Sequence, residues 1–211
     1  MRKHCTEIST NHKARKRFGQ NFIIDTKIVD RIVATIAPKS EDNLLEIGPG
    51  QGAMTLPLLE KLNQLHVIEI DRDLIGLLES LSKDNLIIHQ GDAMKFDLST
   101  LPTPIRVVGN LPYNISSPIL FHLLENRSLV QDMTFMLQKE VVERMVAKHG
   151  NKTYGRLSVM IQAFFEVELI FIVPPESFEP APKVDSAIVY LKPLSQSLVG
   201  DVTVFKKVVK A

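Results

Sequence analysis

The stretch Asn43-Leu44-Leu45-Glu46-Ile47-Gly48-Pro49-Gly50-Gln51-Gly52-Ala53 is a short, mostly apolar run that breaks into three glycines spaced two apart. The run predicts a buried strand. Glycines directly after a strand let backbone approach a ligand closely. The helix expected next turns its N-terminus toward that ligand.

Working outward, strands and helices alternate. A helix is expected from a cap at Asp25, with Ile28, Ile32, Val33 and Ile36 at helical spacing, ended by Pro38. After the glycine loop the pattern predicts helix over 53–62, with Pro57 in its first turn, strand over 65–70 and helix over about 72–82. Strands follow over 86–89 and 105–109, then a helix capped by Ser117 with Pro118 at its first position and running to 125. Further along come strand over 132–137, helices over 139–148 and 154–165, and strands over 168–173 and 186–191. This βαβα order predicts an α/β fold with a mostly parallel sheet of seven strands. The link over 174–182 is too short for a helical crossover, so the last two strands are expected as an antiparallel edge pair.

The bulk of the chain agrees. Its 211 residues are 45% hydrophobic and 23% charged, an ordinary globular composition. A single cysteine, Cys5, excludes an internal disulfide framework and fits a reducing cytoplasm. No secretory h-region follows Met1, and no stretch approaches the length of a membrane span. Charge is uneven. Residues 1–20 carry Arg2, Lys3, Lys13, Arg15, Lys16 and Arg17 against Glu7, a net +5; the whole chain is +1, which leaves −4 for the rest. A basic arm on an acidic body suits a polyanionic partner, and a solvated tail accounts for it equally.

The strand ends carry the chemistry. Gly48, Gly50 and Ala53 fit a dinucleotide fingerprint, with Glu69 standing 21 residues past Gly48 to receive ribose hydroxyls, so a hydride-transfer enzyme competes. Two details oppose it. Glu46, two residues before the first glycine, suits an ammonium group rather than a pyrophosphate, and Gly52 adds a third closely spaced glycine. Asp71 reads as a helix cap. Asp92 ends the next strand, where it can accept from an adenine amine or close a simple Asx turn. An amino acid end, a ribose and an adenine together describe S-adenosylmethionine. At the fourth strand end stands Asn110-Leu111-Pro112-Tyr113. The Asn110 side-chain carbonyl and the Leu111 backbone carbonyl can accept from an exocyclic amine, Tyr113 can stack on a base, and Pro112 stiffens the turn. The six histidines show no metal-like spacing.

On these residues the chain resembles the Rossmann-like S-adenosylmethionine-dependent methyltransferases. Within them it resembles the rRNA adenine N6-dimethyltransferases of the small-subunit (16S) type. Arg17-Phe18-Gly19-Gln20-Asn21-Phe22 carries the likeness near the start, and Val173-Pro174-Pro175-Glu176-Ser177-Phe178-Glu179-Pro180-Ala181-Pro182-Lys183-Val184-Asp185-Ser186 near the end. The resemblance implies N6,N6-dimethylation of two adjacent adenines in small-subunit rRNA, within an immature small subunit, by a cytoplasmic monomer. It implies that Gln20, Asn21, Ile23, Glu46, Gly48, Gly50, Glu69, Asp92, Ala93 and Asn110 line the cofactor pocket. Asn110, Leu111, Pro112 and Tyr113 would hold the adenine, with Phe178 packed on its other face, although core packing explains Phe178 as well. Lys13, Arg15, Lys16, Arg17, Lys152 and Arg156 are candidate RNA contacts, the last two in a loop that solvation explains as readily. The expected organisation is a basic arm over 1–20, a methyltransferase domain over 21–193, and over 194–211 the opening of a C-terminal helical domain most of which the chain lacks. A large-subunit rRNA methyltransferase of the antibiotic-resistance type, a DNA adenine methylase and a non-catalytic assembly module are the alternatives.

Overall fold

The computed structural model describes residues 20–81, 83–112, 115–196, 198–200 and 202–210. The described residues open with a two-residue strand β1 (Phe22–Ile23) and helix α1 (Thr26–Ile36). The alternating core follows: β2 (Asn43–Ile47), α2 (Thr55–Leu59), β3 (Leu65–Glu69), α3 (Arg72–Ser80), β4 (Leu86–Gln90), β5 (Ile105–Asn110), α4 (Ser116–Glu125) and β6 (Val130–Gln138). Next come α5 (Lys139–Val146), α6 (Arg156–Gln162), β7 (Phe165–Val173), the short β8 (Phe178–Glu179), β9 (Ser186–Pro193) and α7 (Val202–Lys210).

Seven strands form one sheet in the order β4-β3-β2-β5-β6-β9-β7. The first five are mutually parallel, and β9 is antiparallel to both β6 and β7. The expected antiparallel edge pair is therefore present, and β9, second from the edge, is the strand that runs against the others. The strand order reverses between β2 and β5. At such a switch point the flanking connections leave in opposite directions and open a crevice at the carboxyl ends of the strands.

Strand residues alternate between two cores. Leu44, Val108 and Met136 face the layer of α1, α2 and α3; Leu45, Val107 and Leu137 face that of α4, α5 and α6. A sheet covered on both sides must be apolar throughout, so polar residues survive mainly at strand ends. One exception is Arg106. Its guanidinium bonds Asp132 at 3.0 and 3.1 Å, Asp42 at 2.6 Å and the Ile36 carbonyl at 2.7 Å, tying the end of α1 to β5 and β6.

Local signals explain the helix ends, with three corrections. Asp25 caps α1 as expected, accepting from the Lys27 and Ile28 amides at 2.9 and 3.3 Å, and Ala37 closes it at φ 46°. Helix α2 is shorter than expected because the glycine loop runs on as turns to Met54, and Lys61 bonds back to Leu58 rather than extending the helix. Helix α4 begins at Ser116, not after a Ser117 cap. Pro118 lies at its third position, where the missing N–H would have had no partner in the helix. Helix α6 ends at Gln162 because Phe165 already belongs to β7.

Candidate active site

A cavity of about 290 Å³ opens at the switch point. The glycine loop forms one wall, with Gly48, Gly50 and Gly52 at φ 67°, 59° and 85°, a region where side chains other than glycine are strained. The ends of β3, β4 and β5 and the segment over 20–23 supply further walls. Gln20, Asn21, Ile23, Glu46, Gly48, Gly50, Glu69, Asp92, Ala93 and Asn110 all line this one space, with Leu111 and Pro112 beside them.

Glu46 has no exposed surface. The Thr55 hydroxyl donates to its Oε2 at 2.7 Å, while Oε1 has no partner among the described residues. Burial pushes this carboxyl up to about 7, the nearby Glu69 charge adds to the rise, and the Thr55 bond opposes it. A buried carboxylate with one unused oxygen fits an ammonium group, which would supply both the missing donor and the compensating charge.

Glu69 Oε1 accepts from the Ile70 and Asp71 amides at 2.8 and 2.9 Å. Among the described residues its Oε2 has only a long 3.4 Å contact from Gly50 N–H, so this oxygen retains acceptor capacity for ribose hydroxyls. Burial raises this carboxyl also, against the pull of those backbone bonds. Asp71 caps α3 through Asp73 N–H at 3.2 Å. Of the two uses expected for Asp92, the Asx turn is formed, with Oδ1 accepting from Met94 N–H at 2.9 Å, and the residue also faces the cavity.

Asn110 donates its amide hydrogen to the Asn21 main-chain carbonyl at 2.9 Å. That bond orients the side chain and leaves Oδ1 without a donor among the described residues. Leu111 buries its side chain, bonds its N–H to the Met136 carbonyl at 3.2 Å and uses its own carbonyl in no hydrogen bond among the described residues. The Pro112 carbonyl accepts from Ile115 and closes the turn. Tyr113 lies outside the described residues, as do Lys13, Arg15, Lys16 and Arg17.

The N-terminal segment roofs the site. Phe22 packs so closely on Gly50 that a Cβ there would lie 3.1 Å from the ring. Strand β1 pairs antiparallel with β8, Ile23 opposite Phe178 and Phe22 opposite Glu179. This pairing bears on the position of Phe178. Its ring is 3% exposed and joins the apolar cluster with Ile23, Val173 and Ile188, so it does not line the cavity. Its core packing is thus part of what holds β8 against β1. Lys152 and Arg156 are exposed at the α5–α6 connection and do not line the cavity either.

Several lining residues had no motif to mark them. Ile70, 50% exposed, and Met94 are apolar walls beside Glu69 and Asp92. Gly109 is needed for a different reason from the loop glycines: a Cβ there would stand 2.5 Å from the Ile47 carbonyl, so it permits the close approach of β5 to β2.

Comparison with known proteins agrees with this geometry. The family model described as ribosomal RNA adenine dimethylase matches residues 11–211. The ribosomal RNA small subunit methyltransferase A of Aromatoleum aromaticum is 57% identical over 205 residues, covering 96% of this chain and 77% of that protein. A dimethyladenosine transferase from Plasmodium falciparum superposes with a TM-score of 0.81 at 34% identity, over 90% of this chain and 69% of that one. The 23S rRNA methyltransferase ErmE gives 0.76 at 32% identity, over 88% and 75%. A cavity ringed by strand-end acids and an Asn-Leu-Pro turn, on a chain matched almost throughout by one family model, places the protein in the ribosomal RNA adenine dimethylase family.

Proposed function

We propose that this chain dimethylates N6 of two adjacent adenines in small-subunit rRNA, using S-adenosylmethionine. It does so as a cytoplasmic monomer acting on an immature small subunit. The observation that carries the reading is that Asn110, Leu111 and Pro112 open onto the same cavity as Glu46, Glu69 and Asp92. Donor and base are thereby held at one point. The small-subunit choice is favoured by the 57% identity to a small-subunit enzyme, against 32% to ErmE. Among the described residues no helix is long and apolar enough to cross a membrane.

S-adenosylmethionine supplies a methyl group on a positively charged sulfur. Glu46 receives its amino group, Glu69 its ribose, and Asp92 its adenine amine. The Asn110 Oδ1 and the Leu111 carbonyl accept from the two N–H bonds of the target amine. That geometry draws the nitrogen lone pair out of conjugation and aims it into the cavity. Catalysis then rests on orientation and electrostatics. A strong base is unnecessary, because the nitrogen becomes acidic only as its new bond forms. Tyr113 stacks on the base, a contact worth about 1–3 kcal/mol. That offsets part of the few kcal/mol spent in unstacking the adenine, so the target is a loop or a loosened helix end. The basic residues Lys13, Arg15, Lys16, Arg17, Lys152 and Arg156 hold the RNA backbone.

The test incubates the protein with methyl-labelled S-adenosylmethionine and, separately, immature small subunits, large subunits and duplex DNA. Label is expected in small-subunit adenines as N6,N6-dimethyladenine. Label confined to large subunits would favour the antibiotic-resistance type, and label confined to DNA would overturn the rRNA reading.

A further inference from the structure

We propose that Thr55 is a positioning residue for cofactor recognition: its hydroxyl occupies one oxygen of Glu46 and so presents the other to the cofactor's amino group. The inference rests on the reading that Glu46 receives that amino group.

Thr55 is the first residue of α2, nine positions after Glu46, and both side chains have no exposed surface. A hydroxyl has one proton to give, and an ionised carboxylate can only accept. The 2.7 Å bond therefore runs from Thr55 Oγ1 to Glu46 Oε2 whenever Glu46 is charged. The bond restrains the carboxylate about its last torsion, which is otherwise broad. Oε1, buried and without a partner among the described residues, is left as the spare acceptor of a residue that borders the cavity. The glycine loop makes this possible. It folds the chain back on itself within eight intervening residues, so the first turn of α2 stands over the end of β2. Glu69, on the neighbouring β3, is the charged group that acts on Glu46. Its repulsion favours the neutral form, and the Thr55 bond opposes it by holding the charged one. Thr55 thus does two things for Glu46: it selects which oxygen faces the ligand, and it favours the charge an ammonium needs.

Binding to two probes separates this role from simple support of the loop. S-adenosylhomocysteine carries the amino acid end, whereas 5′-methylthioadenosine keeps the adenosine and thioether but lacks it. By calorimetry, Thr55→Val should weaken S-adenosylhomocysteine by about tenfold or more, the usual scale for a hydrogen bond to a charged group. Binding of 5′-methylthioadenosine should stay within about twofold, and Thr55→Ser should restore the first ligand. The pH at which S-adenosylhomocysteine binding is half-maximal should also move upward in Thr55→Val, because Glu46 then ionises later. Thr55→Ala repeats the comparison if the valine variant folds poorly. Equal weakening of both probes, or no rescue by serine, would overturn the proposal and leave Thr55 as a loop support. Glu46→Gln tests the underlying reading separately: an unchanged ratio between the two probes would remove Glu46 from the amino group altogether.

Discussion

Glu46→Gln should stabilise the cofactor-free protein while harming cofactor binding. Glutamine keeps the shape of the side chain, and its carbonyl can still accept from Thr55. What it removes is a buried charge. The carboxyl moves from an ordinary value of 4.5 to about 7 on folding. Each tenfold change in proton affinity is about 1.36 kcal/mol, so the fully ionised wild type carries a penalty of about 3 kcal/mol. Between pH 4.5 and 7 the folded state binds more protons here than the unfolded chain. Wild-type stability therefore falls as pH rises through that window and stays reduced above it. Relative to wild type, Glu46→Gln should be more stable by about 3 kcal/mol at pH 8.5, roughly 6–12 °C in melting temperature for a chain of this size. The gap should close below about pH 4.5. Denaturant titration of both cofactor-free proteins at the two pH values measures this difference, and taking the difference removes the titrations the two proteins share. A gap of the same size at both pH values, or none at pH 8.5, would refute the account of Glu46 as an uncompensated buried charge. Saturating S-adenosylhomocysteine should then stabilise the wild type more than the variant.

Three other perturbations address separate parts of the molecule. Asn110→Ala should reduce methyl transfer by about 10²-fold or more, the scale seen for single preorganised polar groups, while cofactor affinity falls less than about tenfold; single-turnover rates near wild type would exclude the amine clamp. Gly109→Ala drives a methyl against the Ile47 carbonyl and should cost about 1–3 kcal/mol, read as a lower denaturation midpoint, and an unchanged midpoint would show that β2 and β5 can separate freely. Deleting residues 1–17 removes six basic side chains and one acid and should flatten the plot of log affinity for RNA against log salt; an identical slope would take the arm out of the interface.

Much of the site was legible because of where it lies. A parallel sheet buried on both faces tolerates polar side chains at few places, so Glu46, Glu69, Asp92 and Asn110 stood out at the ends of otherwise apolar runs. Their convergence in one cavity follows from the parallel order alone. What was not legible depends on tertiary proximity. Nothing in the local pattern separates Thr55 from any threonine opening a helix. Gly109 reads as a strand-end glycine until the Ile47 carbonyl is seen beside it. Phe178 reads equally as a stacking residue or as core, and its place in the cluster with Ile23, Val173 and Ile188 appears only in the folded chain. The start of α4 was misplaced because a serine before a proline is a strong local cap signal, yet the turn from Pro112 to Ile115 already commits the chain to helix at Ser116.

The bond that orients Asn110 has a consequence for heredity. Its acceptor is a main-chain carbonyl, which every amino acid carries, so a point substitution at position 21 leaves the acceptor in place. The orientation of the most demanding side chain in the cavity is thus insured against most single-base errors in the gene. It is exposed instead to insertions and deletions between the basic arm and β1, which would shift the carbonyl along the chain. For this one bond, spacing rather than the identity of residue 21 is what has to be kept.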